Sequence, residues 1–195
     1  MMADEWRSEL ERSGALREGH FLLSSGLHSP AYVQCALLLS DPARARRAGE
    51  AVAGLVRAQG TEVDSVLAPA LGGVIIGHEV AAALGVAFRF VEREGTAMAL
   101  RRGFQIEKGE RILVVEDVVT TGKSTLETAA VAESLGGRVV GIASILDRSG
   151  GRPGFRVPYT ALVRLDLPTW ETSRCPLCAQ GSVAVKPGSR PQPPS

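Results

Sequence analysis

No stretch of this chain approaches the roughly 18 consecutive apolar residues that a membrane-spanning helix needs, although 45% of its 195 residues are hydrophobic. The opening residues, MMADEWRSELER, carry charge where a secretory leader needs an apolar centre. Together these features predict a cytoplasmic protein that does not enter a membrane. Cysteine is scarce: Cys35 stands alone, and Cys175 and Cys178 form a C-x-x-C pair, too few for a disulfide framework. Charge of one sign is lacking too. The formal net charge is +1, so no bulk field draws the chain onto nucleic acid or lipid, and any anion must be caught by local groups. No internal repeat is present. What remains, at this length and with 22% charged residues, is the composition of one soluble domain with a full core.

The domain is predicted over residues 1–186, with a small N-terminal hood over about residues 1–40. The tail 187–195, PGSRPQPPS, is rich in Pro and Ser and predicted to be disordered. Residues 4–13 read as a helix. Residues 20–39 mix short apolar runs with Gly and Pro, which suggests a hairpin or irregular extended structure. Ser40-Asp41-Pro42 opens a helix that ends at Gly60. From there apolar strands alternate with amphipathic helices. VDSVLAPA, VAFRFVER, RILVVEDVV, VVGIASILD and YTALVRL read as strands; VIIGHEVAAALG and STLETAAVAESLGG read as helices. That alternation predicts an α/β fold, a parallel twisted sheet with helices on both faces. Ligands of such sheets bind at the carboxyl ends of the strands.

The stretch RILVVEDVVTTGKST is the richest. An apolar strand runs into Glu116 and Asp117, and Thr120-Thr121-Gly122-Lys123-Ser124-Thr125 opens a helix. A helix start offers unpaired N–H groups and a positive dipole end, and small residues let the backbone wrap a phosphate. Paired carboxylates just upstream suit the hydroxyls of a polyol, or a metal. The plainer alternative is a capped helix after a buried strand. Two rival motifs fail on counting. Asp117 holds the first glycine position of a G-x-x-x-x-G-K-[ST] loop, and Val74 holds the middle glycine position of a G-x-G-x-x-G fingerprint at Gly72, Gly73 and Gly77.

VVEDVVTTGKST resembles the phosphoribosyl-diphosphate (PRPP) signature of type I phosphoribosyltransferases. Three more segments resemble the orotate-specific members: FLLSSGLHSPAY (Phe21 to Tyr32), LAPALGGVIIG (Leu67 to Gly77) and ILDRSGG (Ile145 to Gly151). Taken singly, these segments read equally as a hairpin, as glycines for tight strand-to-helix packing, and as a solvated arginine. The resemblance implies transfer of ribose 5-phosphate from PRPP to orotate in pyrimidine (UMP) synthesis, with magnesium held mainly through PRPP and no direct protein ligand. Glu116 and Asp117 would take the ribose, and Arg93, Val118, Val119 and Thr120 to Thr125 the phosphates. Gly72 and Gly73 would receive pyrophosphate; Arg93, Glu116 and Asp117 form the implied catalytic set. Orotate would meet Thr120, Arg148, Ser25, Gly26 and Tyr32. A homodimer is implied, with a mobile loop closing over the neighbouring subunit's site.

The chain departs from the pattern in three places. The closing-loop segment, VEREGTAMALRRGF (Val91 to Phe104), has neither the lysine nor the histidine of the family, and its cations are Arg93, Arg101 and Arg102. Ser24 replaces the usual basic residue before Ser-Gly. Cys175-Pro176-Leu177-Cys178 resembles a zinc knuckle, yet a structural zinc needs four ligands. Two readings stay open there: reduced thiols in a turn, or a structural zinc shared by two subunits. Two functional alternatives also stand beside the main one. They are a phosphoribosyltransferase for another base, and a regulatory protein of the same fold that senses PRPP.

Overall fold

The computed structural model describes residues 2–23, 25–151 and 153–187. Helix α1 (Met2–Arg12) leads into an antiparallel hairpin, β1 (Leu16–Leu22) and β2 (His28–Val33), then a short α2 (Cys35–Leu39) and the long α3 (Pro42–Ala58). Next come β3 (Ser65–Pro69), α4 (Gly72–Leu84), β4 (Ala87–Glu94), β5 (Ala97–Leu100), β6 (Arg111–Val119), α5 (Lys123–Ser134), β7 (Arg138–Asp147) and β8 (Tyr159–Arg164). A single helical turn, α6 (Pro176–Ala179), sits in the C-terminal segment.

The main sheet runs β5-β4-β3-β6-β7-β8. All neighbours pair in parallel except β5, which lies antiparallel on β4. The five parallel strands are those the apolar runs predict; β5 and α2 are additions, too short to show a period of their own. From β3 the chain crosses to β4 on one side, and from β6 it crosses to β7 on the other. The sheet therefore reverses its winding between β3 and β6, and a crevice opens at their carboxyl ends.

Strand periodicity divides the core. In β6, Leu113 and Val115 face the cluster shared with α3, α4 and the hood, while Ile112 and Val114 face the cluster beneath α5. Helix α3 starts where Asp41 accepts from the N–H groups of Ala43 and Arg44 at 2.9 and 3.3 Å, with Pro42 in its first turn. It buries Ala45, Ala48, Val52 and Val56. The hood shares this core through Trp6, Leu10, Leu16, Val33 and Leu38. At roughly 25 cal/mol per Å² of apolar area, such a shared cluster holds the hood to the sheet without any covalent staple.

The C-terminal segment returns to the hood. Trp170 and His28 exchange backbone hydrogen bonds at 2.9 and 2.8 Å, and Val185 bonds to Leu22 and His20 at 2.9 and 2.8 Å. Of the tail predicted to be disordered, Pro187 is placed in a turn and 188–195 lie outside the described residues. Among the described residues no helix is long and apolar enough to cross a membrane.

Candidate active site

The acidic pair ends β6. Glu116 is buried, accepting a hydrogen bond from the Ser124 hydroxyl at 2.9 Å and one from the Asp117 N–H at 3.2 Å. Burial, and then the neighbouring Asp117 charge, push its pKa up to about 8. Asp117 is half-buried, and its Oδ1 accepts from the Val118 N–H at 2.8 Å. Across the crevice stands the start of α4. A Cβ on Gly72 would come 2.7 Å from Asp117 Oδ1, and one on Gly73 would come 3.0 Å from the Val115 carbonyl. Both glycines are thus needed for the helix to approach β6 so closely, and the approach itself narrows the crevice.

Beyond Asp117 the chain forms a cavity of about 280 Å³, lined by Arg93 and by Val118 to Thr125. Gly122 caps α5 at φ 75°, a backbone conformation that favours glycine, and has no side chain to cap it. The Lys123 N–H donates to Thr121 Oγ1 at 3.4 Å, and the remaining N–H groups of that turn can face an anion. Thr125 Oγ1 is buried against the same turn and has no hydrogen-bond partner. Arg93 reaches in from β4, donating to Glu127 Oε2 at 2.6 Å and to the Thr96 carbonyl at 2.8 Å.

A second cavity, of about 510 Å³, adjoins the first and shares Thr120 and Thr121 with it. Ser25 and Tyr32 line it together with Leu22, Leu23 and Leu27 from the hood, and Leu167, Thr169, Lys186 and Pro187 close the far side. Arg148 stands in its wall. The Arg148 N–H donates to the Val119 carbonyl at 2.8 Å, which fixes the residue beside the end of β6. Its side-chain Nε is buried without a partner, and desolvation lowers the guanidinium pKa. Asp147 is already occupied, accepting from Ser149 Oγ at 2.6 Å and lying 3.6 Å from Arg164. Among the described residues nothing neutralises Arg148.

The chain as a whole is similar to proteins of known activity. The sequence profile of the phosphoribosyl transferase domain matches residues 36–161. The chain belongs to the phosphoribosyltransferase family. Its relatives include the orotate phosphoribosyltransferase of Thermotoga maritima, 50% identical over 93% of this chain and 96% of that protein. The orotate phosphoribosyltransferase of Carboxydothermus hydrogenoformans is 49% identical over 96% of this chain and 97% of its own. Among solved structures, the orotate phosphoribosyltransferase of Aeropyrum pernix has a TM-score of 0.66 at 29% identity, covering 85% of this chain and 94% of that one.

The structure departs from one expectation. The segment expected to be the family's mobile closing loop is a β-hairpin, β4–β5. Phe90 and Phe104 stack edge to face at 5.4 Å, and Met98 and Leu100 pack on the α5-side core. Arg101 and Arg102 are tied down on the same surface. Arg102 pairs with Glu92 at 2.8 Å and covers the Phe90 ring, and Arg101 lies 3.7 and 3.8 Å from Glu92 and Glu94. The phosphoribosyltransferase resemblance places this loop at a neighbouring subunit's site; within one chain, Arg93 lines the same cavity as Val118 to Thr125.

Other predicted residues divide. Gly26 shapes the hood turn, its N–H donating to the Leu23 carbonyl at 2.9 Å with φ 82°, and does not line the cavity. Ser24 lies outside the described residues. Cys35 is fully buried with its thiol 4.0 Å from the Asp117 carbonyl, remote from the C-x-x-C pair in role as in sequence. Sequence reasoning missed Lys186, Leu167 and Thr169 as cavity residues. No local motif surrounds them, and only the return of the C-terminal segment to the hood brings them there.

Proposed function

We infer that the protein is an orotate phosphoribosyltransferase, transferring ribose 5-phosphate from PRPP to orotate to give orotidine 5′-phosphate and pyrophosphate, a step toward UMP. The observation that carries this is Arg148: a desolvated guanidinium edge without a partner, in a cavity that opens onto the phosphate loop. A buried cation in want of an anion selects a planar base bearing a carboxylate. Uncharged purines and uracil would leave it unpaired, at a cost of a few kcal/mol.

The remaining groups take roles that their positions support. The first turn of α5, from Thr121 to Thr125, receives the 5-phosphate, with the Thr125 hydroxyl as a ready donor. Glu116 and Asp117 accept from the ribose hydroxyls. The Gly72-Gly73 start of α4 faces the pyrophosphate, and Arg93 lies on the PRPP side of the site. Thr120 stands between sugar and base, and Tyr32, Ser25 and Lys186 complete the base cavity. The bond from C1 to pyrophosphate breaks as C1 joins the ring nitrogen. These groups act by alignment and by stabilising the charge that develops on the leaving pyrophosphate, so no side chain need become covalently bound.

Magnesium suits this site, because Glu116 and Asp117 bring carboxylate oxygens to its edge. Asp117, half-exposed beside Gly72, would hold the ion's water shell while PRPP supplies its other oxygens. Its chemistry would be to neutralise charge on the departing pyrophosphate. A homodimer belongs to the same reading. Leu71 (88% exposed) and Ile75 (46%) lie one helical turn apart beside the site and give it an apolar face. A cytoplasmic location is supported by reduced, unpaired cysteines.

The test is an assay with PRPP, magnesium and each of orotate, uracil, adenine and hypoxanthine. Consumption of orotate alone supports the assignment. Consumption of a different base, or of none despite PRPP binding, overturns it in favour of another base or of PRPP sensing.

A further inference from the structure

Only three histidines and three cysteines occur in the chain, and two of each meet at one point. His20 comes from the bulged part of β1, His28 from the start of β2, Cys175 from the turn before α6 and Cys178 from α6 itself. One ligand atom from each lies within 4.8 Å of all the others. His20 Nε2 is 2.8 Å from His28 Nδ1, 3.4 Å from Cys175 Sγ and 3.8 Å from Cys178 Sγ, and His28 Nδ1 is 3.3 Å from Cys178 Sγ. His20, His28 and Cys175 are buried.

We propose that these four residues bind one structural zinc ion within a single chain. Zinc–sulfur bonds of about 2.3 Å and zinc–nitrogen bonds of about 2.0–2.1 Å place tetrahedral ligand atoms about 3.3–3.8 Å apart, and the measured separations bracket that range. Two soft thiolates and two imidazoles in a tetrahedral set select zinc over the oxygen-seeking divalent ions.

The outer ring nitrogens have partners compatible with metal-binding tautomers. His20 Nδ1 lies 3.1 Å from Ser182 Oγ, and His28 Nε2 lies 3.2 Å from Thr172 Oγ1. In the tautomers where each hydroxyl accepts an outer N–H, both inner nitrogens are lone pairs aimed at each other and at the sulfurs. Histidine ligands of metals are held in this way. A hydrogen bond between the two imidazoles would instead need one ring to carry its proton inward.

This arrangement replaces the earlier picture of a zinc shared by two subunits. The two missing ligands come from the hood of the same chain, and Cys35 takes no part. The ion would weld the two ends of the chain together, where the β1–β2 hairpin and the returning segment already share backbone hydrogen bonds. A small appendage with little core of its own gains most from such a staple.

Metal content of the full chain, purified without chelator, tests this. One zinc per chain is expected, retained through desalting and lost in both His28→Asn and Cys178→Ser. Cobalt substitution should give the visible bands of a tetrahedral ion with thiolate-to-cobalt charge transfer. Protein that holds no zinc and takes up none when titrated with zinc chloride overturns the proposal. So does a Cys175–Cys178 disulfide in fresh protein, or a different metal in its place. A His20→Asn/His28→Asn double variant that keeps its full zinc would return the ligands to a second subunit. If the variants do not fold, zinc titration and the cobalt spectrum of the unmodified protein decide the matter. None of these readouts depends on which base is used.

Discussion

The carboxylate of Asp117 occupies the space that a side chain at position 72 would need, with Oδ1 only 2.7 Å from where a Cβ would stand. Backbone φ plays no part in this requirement; it is one of room. Gly72→Ala should push Asp117 from its place and lower kcat/KM for PRPP by about tenfold or more, on the order of 1.4 kcal/mol of transition-state stabilisation. Steady-state kinetics beside a circular dichroism spectrum checks this. Normal turnover in the folded variant would mean that Asp117 does not work from this position.

Arg148→Ala should weaken orotate binding much more than PRPP binding. A charge-assisted hydrogen bond is worth about 1.5–3 kcal/mol, so the dissociation constant for orotate should rise roughly tenfold to a hundredfold. Separate calorimetric titrations of the two ligands decide the point. Equal losses for both would assign Arg148 to the phosphate side or to the fold.

Glu116 sets a pH signature. Its pKa rises from 4.5 in the unfolded chain to about 8 in the fold, so the fold favours its protonated form. The stability this gives is complete below the unfolded value and is lost as pH climbs through the folded one. Glu116→Gln keeps an acceptor for Ser124 and cannot ionise. Its melting temperature should therefore gain on that of the unmodified protein as pH rises from about 5 to about 8. A constant difference across that window would show that Glu116 is not held in its neutral form.

Arg93 lines the same cavity as Val118 to Thr125 of its own chain, and a complementation experiment tests whether it acts there. Arg93→Ala and Asp117→Asn proteins, mixed under conditions that exchange subunits, should stay inactive, because every site retains one lesion. Recovery of activity would show that Arg93 serves a neighbouring subunit.

The parts of this molecule written in local sequence were legible in it. The buried strands alternate or run continuously apolar, and Asp41-Pro42 and Gly85 punctuate helices in chemically ordinary ways. The Glu116–Thr125 stretch carries acids, a left-handed glycine and an anion-binding helix start within ten residues, so its place at a strand end could be read directly. Arg148 was reachable for the same reason, since it follows a strand. Long-range relationships were not legible. The C-x-x-C pair announced thiols but not their partners, because His20 and His28 lie some 150 residues away and each looks like an ordinary strand residue. The hairpin at the expected closing loop was not legible, because Gly95, Thr96 and Ala97 suggest slack. The ends of that segment are instead pinned by Phe90, Phe104 and the Glu92 ion pairs, which only the folded pairing of β4 and β5 brings together.

The return of the C-terminal segment to the hood has a consequence for the order in which the protein becomes competent. Arg93 and residues 118–125 line the first cavity, whereas the second, proposed for the base, draws on residues from 22 to 187. A ribosome delivers chain from the N-terminus, and domains begin to fold as it emerges. The hood hairpin is synthesised early but must wait for the last residues of the domain before its pocket has a second wall. A nascent chain stalled before Trp170 would carry the Thr120–Thr125 loop and Arg148, with the second cavity still open on the side that Lys186 and Pro187 later close.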